Sequence, residues 1–412
     1  MFLLAHMFRR FVKVGTLTVT DAHGKRHVFA GEPGPAVALR FTNPKLHTRL
    51  FFNPDLALGE GYMNGEIVFQ DGTIYDFLEL FNRNRMSLGS YPLQSVLRRI
   101  SRGLRKLQQY NPMGKAQQNV AHHYDLSAEM YALFLDADQQ YSCAYFANGN
   151  ESLEEAQLRK KQHIAAKLCL KPGQKVLDIG CGWGGMALSI ASMCDVEVLG
   201  VTLSTEQLQV ATARAKKMGL DGRVKFELRD YRELTQTFDR IVSVGMFEHV
   251  GVAHFDEFFA QTKKLLSDDG VMLLHAIGRM SPPGTTGPWI RKYIFPGGYT
   301  PAMSEVFAAT ERQRLWVTDM EVLRVHYAET LKHWAKRFAA NRERVAELYD
   351  ERFCRMWEFY LACAEMAFRQ GSSMVFQMQL TRDRAAVPET RDYMVDVERS
   401  LISAAVGSRR VA

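Results

Sequence analysis

One ten-residue segment, Val-Leu-Asp-Ile-Gly-Cys-Gly-Trp-Gly-Gly at 176–185, constrains the fold more than any other part of this chain. Its first four residues have the pattern of a buried strand, and the glycines that follow predict a tight turn that opens a helix. From about residue 170, apolar runs alternate with amphipathic stretches; the runs lie near 175–179, 196–201, 223–228, 239–244 and 270–276. Two long helical patterns, at roughly 327–348 and 350–370, precede a last apolar strand at 374–380. This alternation of strands and helices predicts an α/β fold with a Rossmann-like, mostly parallel sheet.

The glycine turn by itself leaves two cofactor classes open. Gly180, Gly182 and Gly185 match GxGxxG, which is weak evidence for a dinucleotide site when it stands alone. A dinucleotide site also needs an acidic residue about 20 positions later, at the end of the next strand, but that strand ends in Thr-Leu-Ser at 202–204. Asp178, just before the first glycine, can instead accept hydrogen bonds from a cationic aminoacyl group. The turn therefore favours S-adenosyl-L-methionine.

A second cofactor contact is predicted after the third strand of this domain. Asp230 can accept the amino group of adenine, and Tyr231 can cover its ring. In isolation the same pair is also typical of a solvated acid beside a surface tyrosine. The glycine turn upstream favours the cofactor interpretation.

The first part of the chain has a different organisation. Residues 1–90 consist of short β-like runs broken by turn signals, and the glycine-rich stretch 58–66 predicts a turn between small elements. Residues 93–107 predict a helix that is apolar on one face and basic on the other. The break after it, at Asn111-Pro112, predicts an N-terminal α+β domain at 1–112 and a catalytic domain at 113–412.

The basic excess of the chain lies in its first part. Residues 1–120 hold 16 Lys+Arg against 8 Asp+Glu, and the remainder holds 36 against 37. This distribution indicates an anionic partner, either a membrane surface or nucleic acid. Because the basic helix lacks interleaved aromatics and no nucleic-acid motif is present, we expect an anionic phospholipid bilayer and no nucleic acid.

The location follows from three weaker features. No apolar run approaches the roughly 18 residues that span a bilayer, and the N-terminus has no secretory-signal pattern. The six cysteines are scattered, which favours a reducing compartment and predicts no metal site. We therefore expect a cytoplasmic protein that associates reversibly with the inner membrane surface.

Several short motifs, in this order along the chain, carry a family resemblance. They lie at 123–126, 141–146, 176–185, 202–207, 243–250, 293–298, 326–331 and 355–357. Together they resemble the cyclopropane-fatty-acyl-phospholipid synthases and the related mycolic acid cyclopropane synthases, over about residues 58–380. The resemblance implies that the sheet of the catalytic domain has seven strands, as in S-adenosylmethionine-dependent methyltransferases. The stretch 59–65 resembles the small N-terminal domain of the bacterial phospholipid enzymes.

The resemblance implies a reaction and a set of residues. A cis double bond of a phospholipid acyl chain takes the sulfonium methyl, and bicarbonate accepts a proton as the ring closes. The implied catalytic residues, which would form the bicarbonate pocket, are Cys143, Glu248, His275, Ile277 through its backbone, and Tyr327. The implied cofactor contacts are Tyr141, Ser142, Asp178, Gly180, Cys181, Gly182, Trp183, Gly184, Thr202, Leu203, Ser204, Gln207, Asp230 and Tyr231. The family also suggests a homodimer formed through the N-terminal domain.

Other interpretations stay open at the level of the sequence. Taken singly, Cys143 and His275 are typical of buried core residues, Glu248 of a helix cap, and Tyr327 of packing. The same fold could methylate the alkene without ring closure, or methylate a small-molecule amine. A nucleic-acid-binding module and an inactive membrane-binding relative are further alternatives, which the intact glycine turn and the missing motifs disfavour.

Overall fold

The structure is a computed structural model that describes residues 1–88 and 127–409. The chain forms two compact units: Met1–Arg105 with Thr285–Pro296 and Leu331–Ser372, and Lys106–Gly284 with Gly297–Thr330 and Ser373–Ala412. The predicted basic helix at 93–107, the motif at 123–126 and the predicted domain boundary at 112 lie outside the described residues. The first unit nevertheless includes two later segments that the boundary at 112 assigns to the catalytic domain.

The secondary structure of the described residues comprises the following elements in chain order. The strands are β1 Val14–Thr20, β2 Arg26–Ala30, β3 Glu32–Phe41, β4 Ile67–Asp71, β5 Lys175–Ile179, β6 Glu197–Thr202, β7 Val224–Leu228, β8 Phe238–Val244, β9 Leu266–Arg279, β10 Trp316–Val322 and β11 Ser373–Thr381. The helices are α1 Phe2–Phe11, α2 Lys45–Phe52, α3 Pro54–Met63, α4 Ile74–Leu88, α5 Ala128–Ala132, α6 Leu153–Lys167, α7 Gly185–Met193, α8 Thr205–Lys217, α9 Phe255–Leu265, α10 Pro288–Tyr293, α11 Met303–Arg312, α12 His326–Ala340, α13 Arg342–Leu348, α14 Glu351–Arg369 and α15 Asp392–Arg409.

The first unit is built on a four-stranded sheet with the order β2-β1-β3-β4. Strands β1 and β3 are parallel, whereas β2 and β4 each pair antiparallel with their neighbour. The predicted turn at 58–66 is wrong for residues 58–63, which belong to the helix α3, and a turn follows only at residues 64–65. The glycines of α3 allow neighbouring side chains to pack closely against the helix. A Cβ at Gly59 would lie 2.3 Å from the Trp289 ring, and one at Gly61 would lie 3.0 Å from Ile67.

The second unit confirms the predicted fold class. Its seven-stranded sheet has the order β10-β11-β9-β8-β5-β6-β7, in which only β11 runs antiparallel to its neighbours. The strand β10 was not predicted. The predicted helix at 327–348 is interrupted at Asn341, which separates α12 from α13.

Hydrophobic cores cover both faces of the seven-stranded sheet. Leu177 and Ile179 of β5 belong to one core, together with a cluster of phenylalanines, whereas Val176 belongs to the other core. Asp178 shares a face with Val176 because side chains alternate along a strand. A carboxyl group is therefore buried at the carboxyl end of a central strand. None of the helices in residues 1–88 and 127–409 combines the length and the hydropathy of a membrane-spanning segment.

Candidate functional site

A cavity of about 160 Å³ lies at the carboxyl ends of β5, β6 and β8, beside the turn that precedes α7. Twelve of the predicted cofactor contacts line it: Tyr141, Ser142, Asp178, Gly180, Cys181, Gly182, Trp183, Thr202, Leu203, Gln207, Asp230 and Tyr231. Gly184 and Ser204 lie outside its lining. The edge of the sheet at which parallel strands end is where α/β folds bind their ligands.

The glycine turn has the geometry that a closely approaching ligand requires. Gly180 and Gly182 have φ angles of 79° and 54°, a region that glycine adopts at little cost. The N–H groups of Gly180 and Cys181 both donate to the carbonyl of Val201, which anchors the turn on β6. A Cβ at Gly182 would meet no atom within 4 Å, whereas one at Gly184 would lie 2.7 Å from Phe226. Gly182 therefore faces open space, and Gly184 serves packing.

Asp178 is a buried carboxyl group with an incomplete set of hydrogen bonds. It is 1 % exposed, and its Oδ2 has no hydrogen-bond partner. Burial raises its pKa from the usual 3.8 to about 7. An unsatisfied buried carboxylate is costly, and a cationic ligand would relieve this cost. The site therefore fits the ammonium group of S-adenosylmethionine.

Polar contacts organise the rest of the cavity wall. Arg232 binds both oxygens of Asp230, with Nε 2.9 Å from Oδ1 and a terminal nitrogen 2.6 Å from Oδ2. The Thr202 hydroxyl donates to Gln207 Oε1 at 2.8 Å. Ser204 accepts from the backbone N–H of Gln207 at 3.3 Å and so caps α8. Ser204 therefore positions α8, the helix that carries Gln207.

Glu248, His275 and Ile277 come together beside β8 and β9. The backbone N–H of Ile277 donates to Glu248 Oε1 at 2.6 Å, and Gly245 N–H donates to the His275 carbonyl at 2.9 Å. Glu248 Oε2 and His275 Nε2 are buried without a hydrogen-bond partner. Burial raises the pKa of Glu248 to about 7 and lowers that of His275 well below its usual value. The Ile277 N–H, which the resemblance assigns to bicarbonate, thus holds Glu248 in this structure.

Cys143 and Tyr327 are both buried, and local contacts connect them. The backbone N–H of Ala144 donates to the Thr330 hydroxyl at 3.0 Å, and Thr330 lies one turn after Tyr327 on α12. The Cys143 thiol donates to the Ala144 carbonyl at 3.3 Å, and burial raises its pKa. Cys143 is therefore a neutral thiol and not an activated nucleophile.

Sequence reasoning missed Lys160, which lies on α6 with its side chain fully buried. Its ammonium donates to Gln140 Oε1 at 2.6 Å and to Ser142 Oγ at 2.8 Å. The charge of Lys160 lowers the pKa values of Asp178, Cys143 and His275. The signal that could have revealed it is the composition of α6, which buries Lys160, Lys161, Gln162, His163 and Lys167.

His249 was also missed, although it directly follows a predicted site residue. It lines the cavity, and burial lowers its pKa to about 4. A neutral imidazole can lie beside a cationic sulfonium without repelling it. No cluster that could hold a metal ion occurs among the residues that the structure describes.

The sheet order, the glycine turn, the buried Asp178 and the cavity beside them define an S-adenosylmethionine-dependent methyltransferase. The family model for mycolic acid cyclopropane synthetase matches residues 112–378. The chain belongs to this family.

Individual relatives agree with the family match. The chain is 39% identical over 349 residues to the cyclopropane-fatty-acyl-phospholipid synthase of Escherichia coli (strain K12), covering 84% of this chain and 87% of that protein. It is 39% identical over 287 residues to a probable fatty acid methyltransferase of Pseudomonas putida, covering 67% of this chain and 73% of that protein. A crystal structure of mycolic acid cyclopropane synthase CmaA1, complexed with SAH and CTAB, superposes with a TM-score of 0.61 at 34% identity, covering 66% of this chain and 99% of that one.

Proposed function

We propose that this enzyme transfers the methyl carbon of S-adenosylmethionine to the cis double bond of an unsaturated phospholipid acyl chain, giving a cyclopropane fatty acyl chain. Bicarbonate is the proposed proton acceptor. The observation that carries the proposal is the pair of buried, unpartnered polar atoms, Glu248 Oε2 and His275 Nε2, in the same unit as the glycine turn. The name of the Escherichia coli relative supports the phospholipid substrate.

The electrostatics of Glu248 and His275 suit a small oxyanion. With a pKa near 7, Glu248 can carry a proton at neutral pH, and a protonated carboxyl group donates a hydrogen bond instead of repelling an anion. His275 stays neutral because burial disfavours its cation. Ile277 fixes the orientation of the Glu248 carboxyl through its N–H. Bicarbonate bound there would supply a base for the proton that ring closure releases.

The residues of the cavity bind, orient and protect the reacting groups. S-adenosylmethionine supplies an electrophilic methyl group when it is bound. Asp178 would hold its ammonium group, and Asp230 with Tyr231 would hold its adenine. An alkene is a weak nucleophile, so orientation is a large part of the catalysis and can supply up to roughly 7–11 kcal/mol. Because His275 and the Glu248 Oε2 atom are buried, water has little access to a carbocation that develops beside them.

The environment of the enzyme is part of the same proposal. We propose reversible association with the anionic inner membrane surface from the cytoplasmic side, no nucleic-acid partner, and a homodimer. The five basic side chains of the 93–107 segment contribute about 1 kcal/mol each near an anionic leaflet. A total of about 5 kcal/mol corresponds to roughly millimolar or slightly tighter binding, which permits repeated release.

The chemical structure of the lipid product tests the proposed function. The protein is incubated with unsaturated phospholipid vesicles and methyl-labelled S-adenosylmethionine, and mass spectrometry is expected to show lipid that is heavier by one CH2 group, with a ring at the former double bond. Turnover is expected to fall in carbonate-free buffer and to return when bicarbonate is added. Label found only in soluble amines would overturn the lipid substrate.

A second candidate function is methylation of the same alkene without ring closure. Loss of a proton after a hydride shift in the carbocation gives a methylene branch, whereas a saturated methyl branch also requires a hydride donor. The similarity to a probable fatty acid methyltransferase of Pseudomonas putida favours keeping it. The same mass spectrum distinguishes the two, because a methyl or methylene branch fragments differently from a ring. A branched product would contradict ring closure but would still support a phospholipid substrate.

A further inference from the structure

The imidazole of His275 faces an amide on the neighbouring strand. His275 of β9 and Gln377 of β11 are direct partners in the antiparallel register, so their side chains share one face of the sheet. The Gln377 amide nitrogen lies 3.1 Å from His275 Nδ1. Both side chains are buried, at 2 % and 0 % exposed, so water does not compete for this hydrogen bond.

A buried lysine fixes the orientation of that amide. Lys167 Nζ on α6 lies 2.8 Å from Gln377 Oε1. An ammonium group only donates hydrogen bonds, so the atom of Gln377 that faces it is the oxygen, and the NH2 group faces His275. A flipped amide would set two donors against each other at Lys167.

Burial lowers the pKa of Lys167, and an ion-pair cluster opposes this effect. The Lys167 ammonium forms a short salt bridge with Glu321, whose pKa is lowered by His163 and Lys167. His163 binds Glu321 through Nε2 at 2.7 Å and Glu398 through Nδ1 at 3.0 Å. The cluster thus holds Lys167 as a fixed donor toward Gln377.

The direction of these hydrogen bonds determines the tautomer of His275. Because Gln377 donates, His275 Nδ1 must accept, and a neutral imidazole then carries its only proton on Nε2. Nε2 is the buried atom without a partner. We infer that Gln377, oriented by Lys167, is a positioning residue that fixes His275 as the Nε2–H tautomer, so that this nitrogen offers a hydrogen bond to an oxyanion.

The inference rests on the proposed function for the identity of the oxyanion, but not for the tautomer. It assigns His275 the task of a donor and excludes it as a base toward the ligand at Nε2. It also gives a reason why an apolar strand carries a buried glutamine. A side chain that could only accept would leave His275 Nδ1 protonated and Nε2 without a proton.

The tautomer can be read directly by nitrogen NMR of the protein labelled with ¹⁵N-histidine. The His275 resonances are assigned by their loss in His275→Gln. In the wild-type protein we expect an unprotonated Nδ1 and a protonated Nε2. In Gln377→Glu we expect Nδ1 to be protonated, because a carboxylate can only accept, and Lys167 beside it keeps that carboxylate ionised.

Turnover provides the second measurement. Gln377→Glu is expected to raise the KM for bicarbonate by about tenfold or more, as expected when one hydrogen bond to a charged group is lost. The affinity for S-adenosylhomocysteine should stay within about twofold, because Gln377 does not line the cofactor cavity. A general loss of structure would instead weaken the binding of both bicarbonate and S-adenosylhomocysteine.

A matched control is available two residues further along the same strand. Gln379 is equally buried on the same face, but its amide donates to the Lys167 carbonyl at 2.5 Å and to the Tyr393 hydroxyl at 2.8 Å. Gln379→Glu should leave the nitrogen shifts of His275 unchanged. Lys167→Met provides a further variant, in which the freed Gln377 amide can flip and both tautomers should appear.

Two results would overturn the inference: a proton on Nδ1 of His275 in the wild-type protein, or an unprotonated Nδ1 in Gln377→Glu. A different result would contradict the proposed function. Turnover that is independent of bicarbonate, together with the expected nitrogen shifts, would remove bicarbonate as the base and leave the tautomer assignment standing.

Discussion

Asp178 gives a prediction at the scale of a single residue, because its pKa near 7 makes cofactor binding dependent on pH. Without a ligand the carboxyl group is mostly protonated below pH 7, whereas a bound ammonium group requires the carboxylate. Binding should therefore release a proton, and affinity for S-adenosylhomocysteine should rise by up to about tenfold per pH unit until about pH 7. Isothermal calorimetry between about pH 5.5 and 7 measures both effects.

Asp178→Asn serves as the control for this prediction. The amide has a similar shape and does not titrate in this range, so its weaker binding should vary little with pH. A wild-type affinity that stays constant over the same interval would contradict the assigned partner of Asp178.

Glu248 gives a second prediction at this scale. In Glu248→Gln, the amide oxygen can still accept from the Ile277 N–H, but the side chain can no longer share a proton with an anion. We expect kcat to fall by about 10²–10³, the loss typical of removing one preorganised group. Binding of S-adenosylhomocysteine should change little. Equal losses of turnover and binding would contradict the assigned role. The matched control is Glu365→Gln, which changes a buried carboxyl group in the other unit and should leave both turnover and binding unchanged.

At the scale of elements, the turn between β5 and α7 depends on Gly180. A Cβ there would lie 2.9 Å from the Met246 side chain, at a φ of 79°. Gly24 has a similar φ of 83°, but a Cβ there would meet no atom within 4 Å. Gly24→Ala should therefore cost only the backbone strain, about 1–2 kcal/mol of unfolding free energy. Gly180→Ala should cost more and should weaken cofactor binding about tenfold or more. Denaturation and calorimetry on both variants test this; equal cofactor affinity in the two would contradict it.

Elements with a strong local signal could be predicted from the sequence. The strand β5 was predicted because a short apolar run ends at glycines, and β11 because residues 374–380 are almost continuously apolar. The strand β10 was missed because it is a half-buried edge strand whose sequence includes Thr318, Asp319 and Glu321. The helix α3 was taken for a turn because the need for glycine there comes from Trp289, more than 200 residues away.

The candidate site shows the same limit. Asp178 and the glycines could be predicted because they lie together in one short motif of consecutive residues, 176–185. Lys160 and Gln377 could not, since a buried lysine or glutamine acquires its partners only when distant strands and helices pack. The two polar interruptions of β11, Gln377 and Gln379, were nevertheless visible in the sequence as alternating exceptions in an apolar run.

At the scale of the whole molecule, the uneven charge predicts binding to anionic membranes that weakens with salt. Replacing Arg98, Arg99, Arg102, Arg105 and Lys106 by glutamine should abolish cosedimentation with anionic vesicles, because each charge contributes about 1 kcal/mol. The matched control replaces five exposed lysines of the second unit, Lys171, Lys175, Lys216, Lys217 and Lys225. Equal binding by both variants would contradict a membrane role for the first part of the chain.

The first unit is assembled from chain segments that are far apart in sequence. The Tyr62 hydroxyl of α3 donates to Glu358 of α14 at 3.3 Å, and the Trp289 ring lies against Gly59. During translation, α3 must therefore wait until α14 has left the ribosome before this core can close. The core of the first unit is therefore completed late, and a nascent chain stalled before residue 351 exposes apolar surface that α14 would later cover.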